Sequence, residues 1–110
     1  LKTARRLFTK KIITSLPDVI ITSNDLIAQG IISAAHENGI NIPNDMQITG
    51  FDDSLSSAYF IPSVTTVSQN INELAKRCFS MLMDLINKKS SVSSIIEQNI
   101  IARNSAKINI

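Results

Sequence analysis

Val19-Ile20-Ile21-Thr22-Ser23-Asn24-Asp25 and Met46-Gln47-Ile48-Thr49-Gly50-Phe51-Asp52-Asp53 share one arrangement: a short, mostly apolar run that ends in an acidic turn. Between them, Leu26 to Asn38 places Ile27, Ile31, Ala34 and Ala35 on one helical face. Strand, helix, strand is a βαβ unit. Its crossover is right-handed in nearly all known cases, so the two strands run parallel. Both acidic turns then emerge at the carboxyl ends of the strands, on one edge of the sheet. That edge is where open α/β sheets bind ligands.

Local chemistry supports the helix boundaries. Asn24 is a good N-cap, and Asp25 adds negative charge to the first turn. Asn38-Gly39 closes the helix in the way glycine usually does. Gly30 sits inside it, at a cost of about 1 kcal/mol relative to alanine, and marks close approach by another backbone.

Working outward, Thr3 to Leu16 reads as a helix with Leu7, Phe8, Ile12, Ile13 and Leu16 at helical spacing, stopped by Pro17. Pro43-Asn44-Asp45 is a turn before the second strand. Ser54 to Tyr59 has the length of a short helix, Phe60-Ile61-Pro62 is an apolar exit, and Val64 to Val67 is a β-branched stretch. A second long helix runs from Ile71 to Asn87, striped by Ile71, Leu74, Ala75, Cys78, Leu82 and Leu85. Phe79, Met83 and Ile86 widen that stripe, which predicts burial on more than one side. Lys88 to Ser91 is a loop, Ser94 to Ala102 a strand, and Arg103-Asn104-Ser105 opens a weakly patterned tail. Three long helices against so few strong strands leave apolar helix surface uncovered. The reading is therefore an incomplete α/β domain that needs another sheet, lobe or subunit.

Composition narrows the function. The 44% hydrophobic content, with 5% aromatic and no Trp, suits a parallel sheet covered on both faces. A net charge of +2 is too small to imply nucleic-acid binding by itself. Lys2, Arg5, Arg6, Lys10 and Lys11 make the first helix basic, a density more typical of a solvated face. The single cysteine, Cys78, excludes an internal disulfide framework, and its apolar helix face predicts a buried, inert thiol. No apolar run approaches membrane-spanning length, and the N-terminus lacks a signal-peptide core.

The candidate site residues carry two readings each. Asn24 and Asp25 either cap a helix or offer an amide and a carboxylate to hydroxyl groups. Asp52 and Asp53 repel each other, and a turn needs at most one as a cap. A polyhydroxy ligand would use such a carboxylate as acceptor, each bond contributing about 1.5–3 kcal/mol. Catalysis is hard to build, so the expectation is that the chain is not an enzyme. His36 stands alone, no His/Cys cluster has metal-ligand spacing, and there is neither a nucleophile elbow nor a glycine-rich phosphate loop. No cofactor and no metal are expected.

Pro17-Asp18-Val19-Ile20, Ser23-Asn24-Asp25-Leu26-Ile27-Ala28-Gln29-Gly30, Gly39 to Asp53 and Pro62-Ser63-Val64-Thr65-Thr66-Val67-Ser68-Gln69 together closely resemble the LacI/GalR family of bacterial transcriptional regulators, in order from Pro17 to Arg103. The resemblance implies the C-terminal part of a two-lobed, periplasmic-binding-protein-like type I fold. Residues 1–110 would be its effector-binding and dimerisation segment: about 1–69 in the C-terminal lobe, about 70–94 a helix of the other lobe, and about 95–110 a returning strand and tail. It implies effector binding by Asn24, Asp52 and Gln69, with Asp25 and Asp53 as structural caps at the site. It implies a homodimer through Ala28, Ile31, Tyr59, Phe60 and Ile61, and a cytoplasmic protein that senses a sugar, sugar phosphate or related small molecule. Operator DNA would be bound only through an N-terminal headpiece, which would lie upstream of Leu1, as would an arginine such pockets often use.

Two rivals come from other classes. A substrate-binding protein of a sugar transport system shares the two-lobed fold, but usually stacks sugars on aromatic rings. A Mg²⁺-dependent enzyme or phosphoacceptor would use Asp52 and Asp53 as ligands.

Overall fold

The computed structural model describes residues 2–90 and 92–107. Ser91 of the expected loop and residues 108–110 of the expected tail lie outside the described residues. The elements, in chain order, are α1 (Lys2–Leu7), continued by a π-helical stretch (Phe8–Ile12), β1 (Val19–Ile21), α2 (Asp25–Glu37), β2 (Gln47–Thr49), α3 (Leu55–Tyr59), β3 (Thr66–Ser68), α4 (Ile71–Ile86) and β4 (Asn99–Ile101).

β1 and β2 pair parallel, with Val19 opposite Gln47, Ile20 opposite Ile48 and Ile21 opposite Thr49. This is the βαβ unit read from the sequence. β3 and β4 pair antiparallel, Thr66 opposite Ile101 and Ser68 opposite Asn99. A single parallel bridge, Thr49 to Thr65, joins the two ladders. Beyond it, Gly50 N donates to Thr65 O and Asp52 N to Val67 O, so the second acidic turn is pinned along β3.

The core lies on one face of β1 and β2. Ile48 and Met46 meet Ala28, Ile31, Ile32, Ala34 and Ala35 of α2, with Phe8 and Val64 completing the cluster. Gly30 is buried in the same helix. Asn24 caps α2 as its side chain predicts, its Oδ1 accepting from Ile27 N at 2.9 Å. At the other end Gly39 takes φ +72°, a left-handed conformation that glycine adopts without steric cost.

Several expectations change. The first helix does not run regularly from Thr3 to Leu16. It widens after Leu7 into the π-helical stretch, which seats Phe8 in the core and leaves Leu7 and Leu16 exposed. The sheet is not covered on both faces, since Val19 and Ile21 point away from α2 and Ile21 is 80% exposed. The predicted strand from Ser94 to Ala102 shrinks to Asn99–Ile101, because only Thr66–Ser68 offers it a partner.

α4 departs most. It has a strong apolar stripe yet buries none of its residues, with Ile71, Phe79, Leu82, Leu85 and Ile86 all exposed. Cys78 is exposed with it, not buried as its helix face suggested. The principal extents, 59 × 31 × 22 Å, are those of an elongated chain in which this helix stands clear of the core. No described helix is long and apolar enough to cross a membrane.

The candidate ligand edge

The two acidic turns are joined directly. Asp25 N donates to Phe51 O at 2.9 Å, so the residues after β1 and after β2 share one edge of the sheet. Thr22 reinforces the junction. Its hydroxyl lies 2.9 Å from both Asn24 O and Thr49 O, and its N–H donates to Thr49 O.

Asn24 and Asp52 each keep one polar group unused among the described residues. Asn24 spends its Oδ1 on the helix cap, which leaves its amide N–H groups as donors. Asp52 accepts at Oδ1 from Gln69 Nε2 at 2.6 Å, which leaves Oδ2 as an acceptor. Gln69 thus sits against Asp52 at the exit from β3, one residue before Asn70, whose φ of +50° turns the chain into α4. A donor and an acceptor on one edge are the elements needed to hold hydroxyl groups.

Asp52 and Asp53 both have positive φ, +109° and +52°. Such conformations at non-glycine residues cost about 1–3 kcal/mol each and persist where surrounding structure over-determines them. The two carboxylates do not act as a pair. Asp53 turns to Arg103, with Arg103 Nη2 donating to Asp53 Oδ1 at 2.6 Å while Nη1 donates to Val64 O at 2.9 Å. Its carboxylate therefore anchors the C-terminal segment instead of capping a helix, and a metal shared by Asp52 and Asp53 is not what their partners favour.

Asp25 is 1% exposed, and its carboxylate is fully engaged. Oδ1 accepts from Thr66 Oγ1 at 2.6 Å, while Oδ2 accepts from Ser54 N and Ser57 Oγ, both at 2.7 Å. It does not cap its own helix, but it satisfies the N-terminal residues of α3. Ser57 in turn meets Ser54 Oγ and Gln29 Nε2, so a buried polar cluster runs from α2 to α3. Sequence reasoning missed Thr66, Ser57, Gln29 and Arg103. The one signal for Ser57 was its spacing of three from Ser54 at the start of a short helix.

Of the residues expected to form a dimer surface, Ala28 and Ile31 are buried in the chain's own core, 0% and 5% exposed, and present nothing to a partner. Helical spacing marks an apolar face without saying what covers it. Tyr59 and Ile61 are exposed, and Phe60 packs partly against the core.

Two concavities bear on the choice of site. One of about 250 Å³ lies at the strand ends, lined by Thr22, Gly50, Phe51, Thr66, Val67 and Ile100 among others. A larger one of about 600 Å³ lies at the far end of α2, between His36, Gly39–Ile42, Ile61 and Pro62. None of the acidic-turn residues lines it, and its lining has no polar side chains beyond His36 and Asn41. The carboxyl edge carries the chemistry.

The sequence matches the Periplasmic binding protein-like domain family over residues 2–106. It is 35% identical over 95 residues to the HTH-type transcriptional repressor PurR of Pasteurella multocida, an alignment covering 84% of this chain and 28% of that one. Among solved structures, the periplasmic binding ribose operon repressor protein from Lactobacillus acidophilus superposes with TM-score 0.86 at 31% identity, covering 96% of this chain and 39% of that one. A periplasmic binding protein/LacI transcriptional regulator from Alkaliphilus metalliredigens QYMF, complexed with D-xylulofuranose, superposes with TM-score 0.76 at 28% identity, over 96% and 38%. The chain therefore spans well under half the length of the relatives it matches. With the family match running nearly end to end and these relatives transcriptional regulators, the chain belongs to the periplasmic binding protein-like domain family, as the C-terminal part of a LacI/GalR-type effector-binding domain.

Proposed function

We propose that this chain is the effector-sensing and dimer-forming part of a cytoplasmic, DNA-binding transcriptional regulator, and that its effector is a sugar, sugar phosphate or related small molecule. The observation that carries the reading is the Asp25 N to Phe51 O bond, which brings the turns of Asn24 and Asp52 to one edge with a donor and an acceptor unspent. Asn24 and Asp52 hold effector hydroxyls, and Gln69 adjoins them at the crossing toward α4. The D-xylulofuranose bound by the Alkaliphilus relative supports a sugar as the ligand class.

Residues up to about 69 form the C-terminal lobe, and α4, within about 70–94, belongs to the other lobe; its lack of any buried residue supports this division. About 95–110 return to the first lobe, where β4 pairs with β3. Tyr59 and Ile61, with Phe60 beneath them, form the dimer surface. A helix-turn-helix headpiece, N-terminal to this region in the family, would read the operator. Ligand that bridges the two lobes favours one closure of the cleft and so one spacing of the paired headpieces. Such coupling typically amounts to about 1–3 kcal/mol. This chemistry is recognition, with no catalytic step.

Asp52→Asn in the full-length protein tests the reading. Losing a charged acceptor removes about 1.5–3 kcal/mol, or roughly 10- to 150-fold in affinity. Calorimetry with a panel of pentoses, hexoses and their phosphates should show that loss for whichever compound the parent protein binds, with dimerisation and operator binding retained. An unchanged isotherm and an unchanged operator response would reject the site.

A further inference from the structure

We propose that Asp25 is a positioning residue for the ligand edge: its buried carboxylate, working with the Thr66 hydroxyl, holds the Asp52–Asp53 turn in the left-handed backbone conformation that presents Asp52. The inference rests on Asp52 being a ligand group.

The backbone donors of the turn divide between main-chain and side-chain acceptors. Gly50 N donates to Thr65 O and Asp52 N to Val67 O, both backbone acceptors of the β3 segment. The next two donors find side chains instead. Asp53 N reaches Thr66 Oγ1 at 3.3 Å, and Ser54 N reaches Asp25 Oδ2 at 2.7 Å. Thr66 Oγ1 itself donates to Asp25 Oδ1. The segment with two consecutive positive φ values is therefore clamped from its far side by one carboxylate and one hydroxyl. Both groups are 1% exposed, so water cannot stand in for either. Only a carboxylate fits the central place. Its two oxygens accept from three donors supplied by β3 and by the start of α3, and an amide would turn a donor toward one of them. Gly50 leaves the space, since a Cβ there would collide with Asp25 Oδ1. The same carboxylate touches Ser57 of α3, so the ligand turn and the helix that leads to Tyr59 share one anchor.

Amide hydrogen exchange in the ligand-free, full-length protein tests this. Thr66→Val keeps the shape and removes the hydroxyl. The Asp53 and Ser54 amides should exchange at least tenfold faster, while the Ile48 amide in the core keeps its rate. Thr66→Ser, which retains the hydroxyl, should behave as the parent. Unchanged rates at Asp53 and Ser54, or an acceleration that Ile48 shares, would overturn the proposal by showing no role or only a general structural one. Should Thr66→Val not fold, Ser57→Ala removes a single donor to Asp25 and is judged at Ser54 against Ile48 by the same criterion. Exchange needs no ligand, so it decides the positioning claim alone. Sugar binding by Asp52→Asn decides the ligand reading separately.

Discussion

Gly50→Ala is the most demanding test of how the two acidic turns fit together. A methyl group at Gly50 meets Asp25 Oδ1 well inside van der Waals contact, with Asp25 Cα and Cγ both at 3.1 Å. Flexible side-chain ends can move aside at little cost, but this one is held by Thr66, Ser57 and Ser54 N, and the Cα belongs to the backbone at the start of α2. Two responses are open: Asp25 rotates away and leaves its three donors, or β1 and β2 separate at their carboxyl ends. Overpacking alone costs typically about 1–3 kcal/mol. Losing even one bond to a buried charged acceptor adds about 1.5–3 kcal/mol. The expected destabilisation is therefore about 2.5–6 kcal/mol, a large share of the ~5–15 kcal/mol that stabilises a typical domain.

Urea unfolding of the full-length protein, followed by far-UV circular dichroism because this region carries no Trp and one Tyr to report on it, reads the change. The decisive arm is a double-mutant cycle with Asp25→Ala, which removes the colliding atom. In that background the Gly50→Ala penalty should fall by more than half. A Gly50→Ala protein within about 0.5 kcal/mol of the parent, the usual range for an uninvolved surface site, would refute the packing argument. So would a penalty that is the same with and without the Asp25 carboxylate.

Two further outcomes follow from side chains placed by the structure. Arg103→Met removes the guanidinium from a pair whose side chains are only 18% and 26% exposed, and also leaves Val64 O without its donor; unfolding midpoints should show a loss of about 2 kcal/mol. Asp53→Asn should recover part of that loss in the double variant, because no unpaired carboxylate then remains. Ile61→Asp should leave the fold intact, since Ile61 is 89% exposed, yet shift sedimentation of the full-length protein toward monomer at micromolar concentration. Sedimentation indistinguishable from the parent would remove Ile61 from the dimer surface.

What could be read from the sequence divides by the range of the interaction concerned. β1, α2 and β2 were legible because their signals are local: a β-branched run, an Asn three residues before the amide it caps, a glycine at the helix end. The burial of Asp25 was not. Its partners Ser57 and Thr66 lie 32 and 41 residues downstream, and nothing near Asp25 distinguishes a carboxylate entering the core from one that charges the first turn of a helix. Asp53 was misread for the same reason, its partner Arg103 being 50 residues away.

Periodicity fails differently. It reports that a face must be covered, never by what. Ala28 and Ile31, which the family resemblance assigned to a dimer surface, lie on the apolar face of α2 and pack against their own β2 and Phe8. α4 obeys the same rule, and in this chain its stripe faces solvent. The two faces differ only in topology. α2 is a crossover between adjacent parallel strands, so it has to lie on the sheet that those strands form. α4 joins an antiparallel pair, β3 to β4, a connection that a tight hairpin could make and that imposes no position on the helix. An apolar helix in a connection that does not require it to pack on its own sheet is one whose cover comes from elsewhere. By that argument the exposed stripe of α4, Cys78 included, is the surface that the proposed two-lobed arrangement would have the rest of the domain cover.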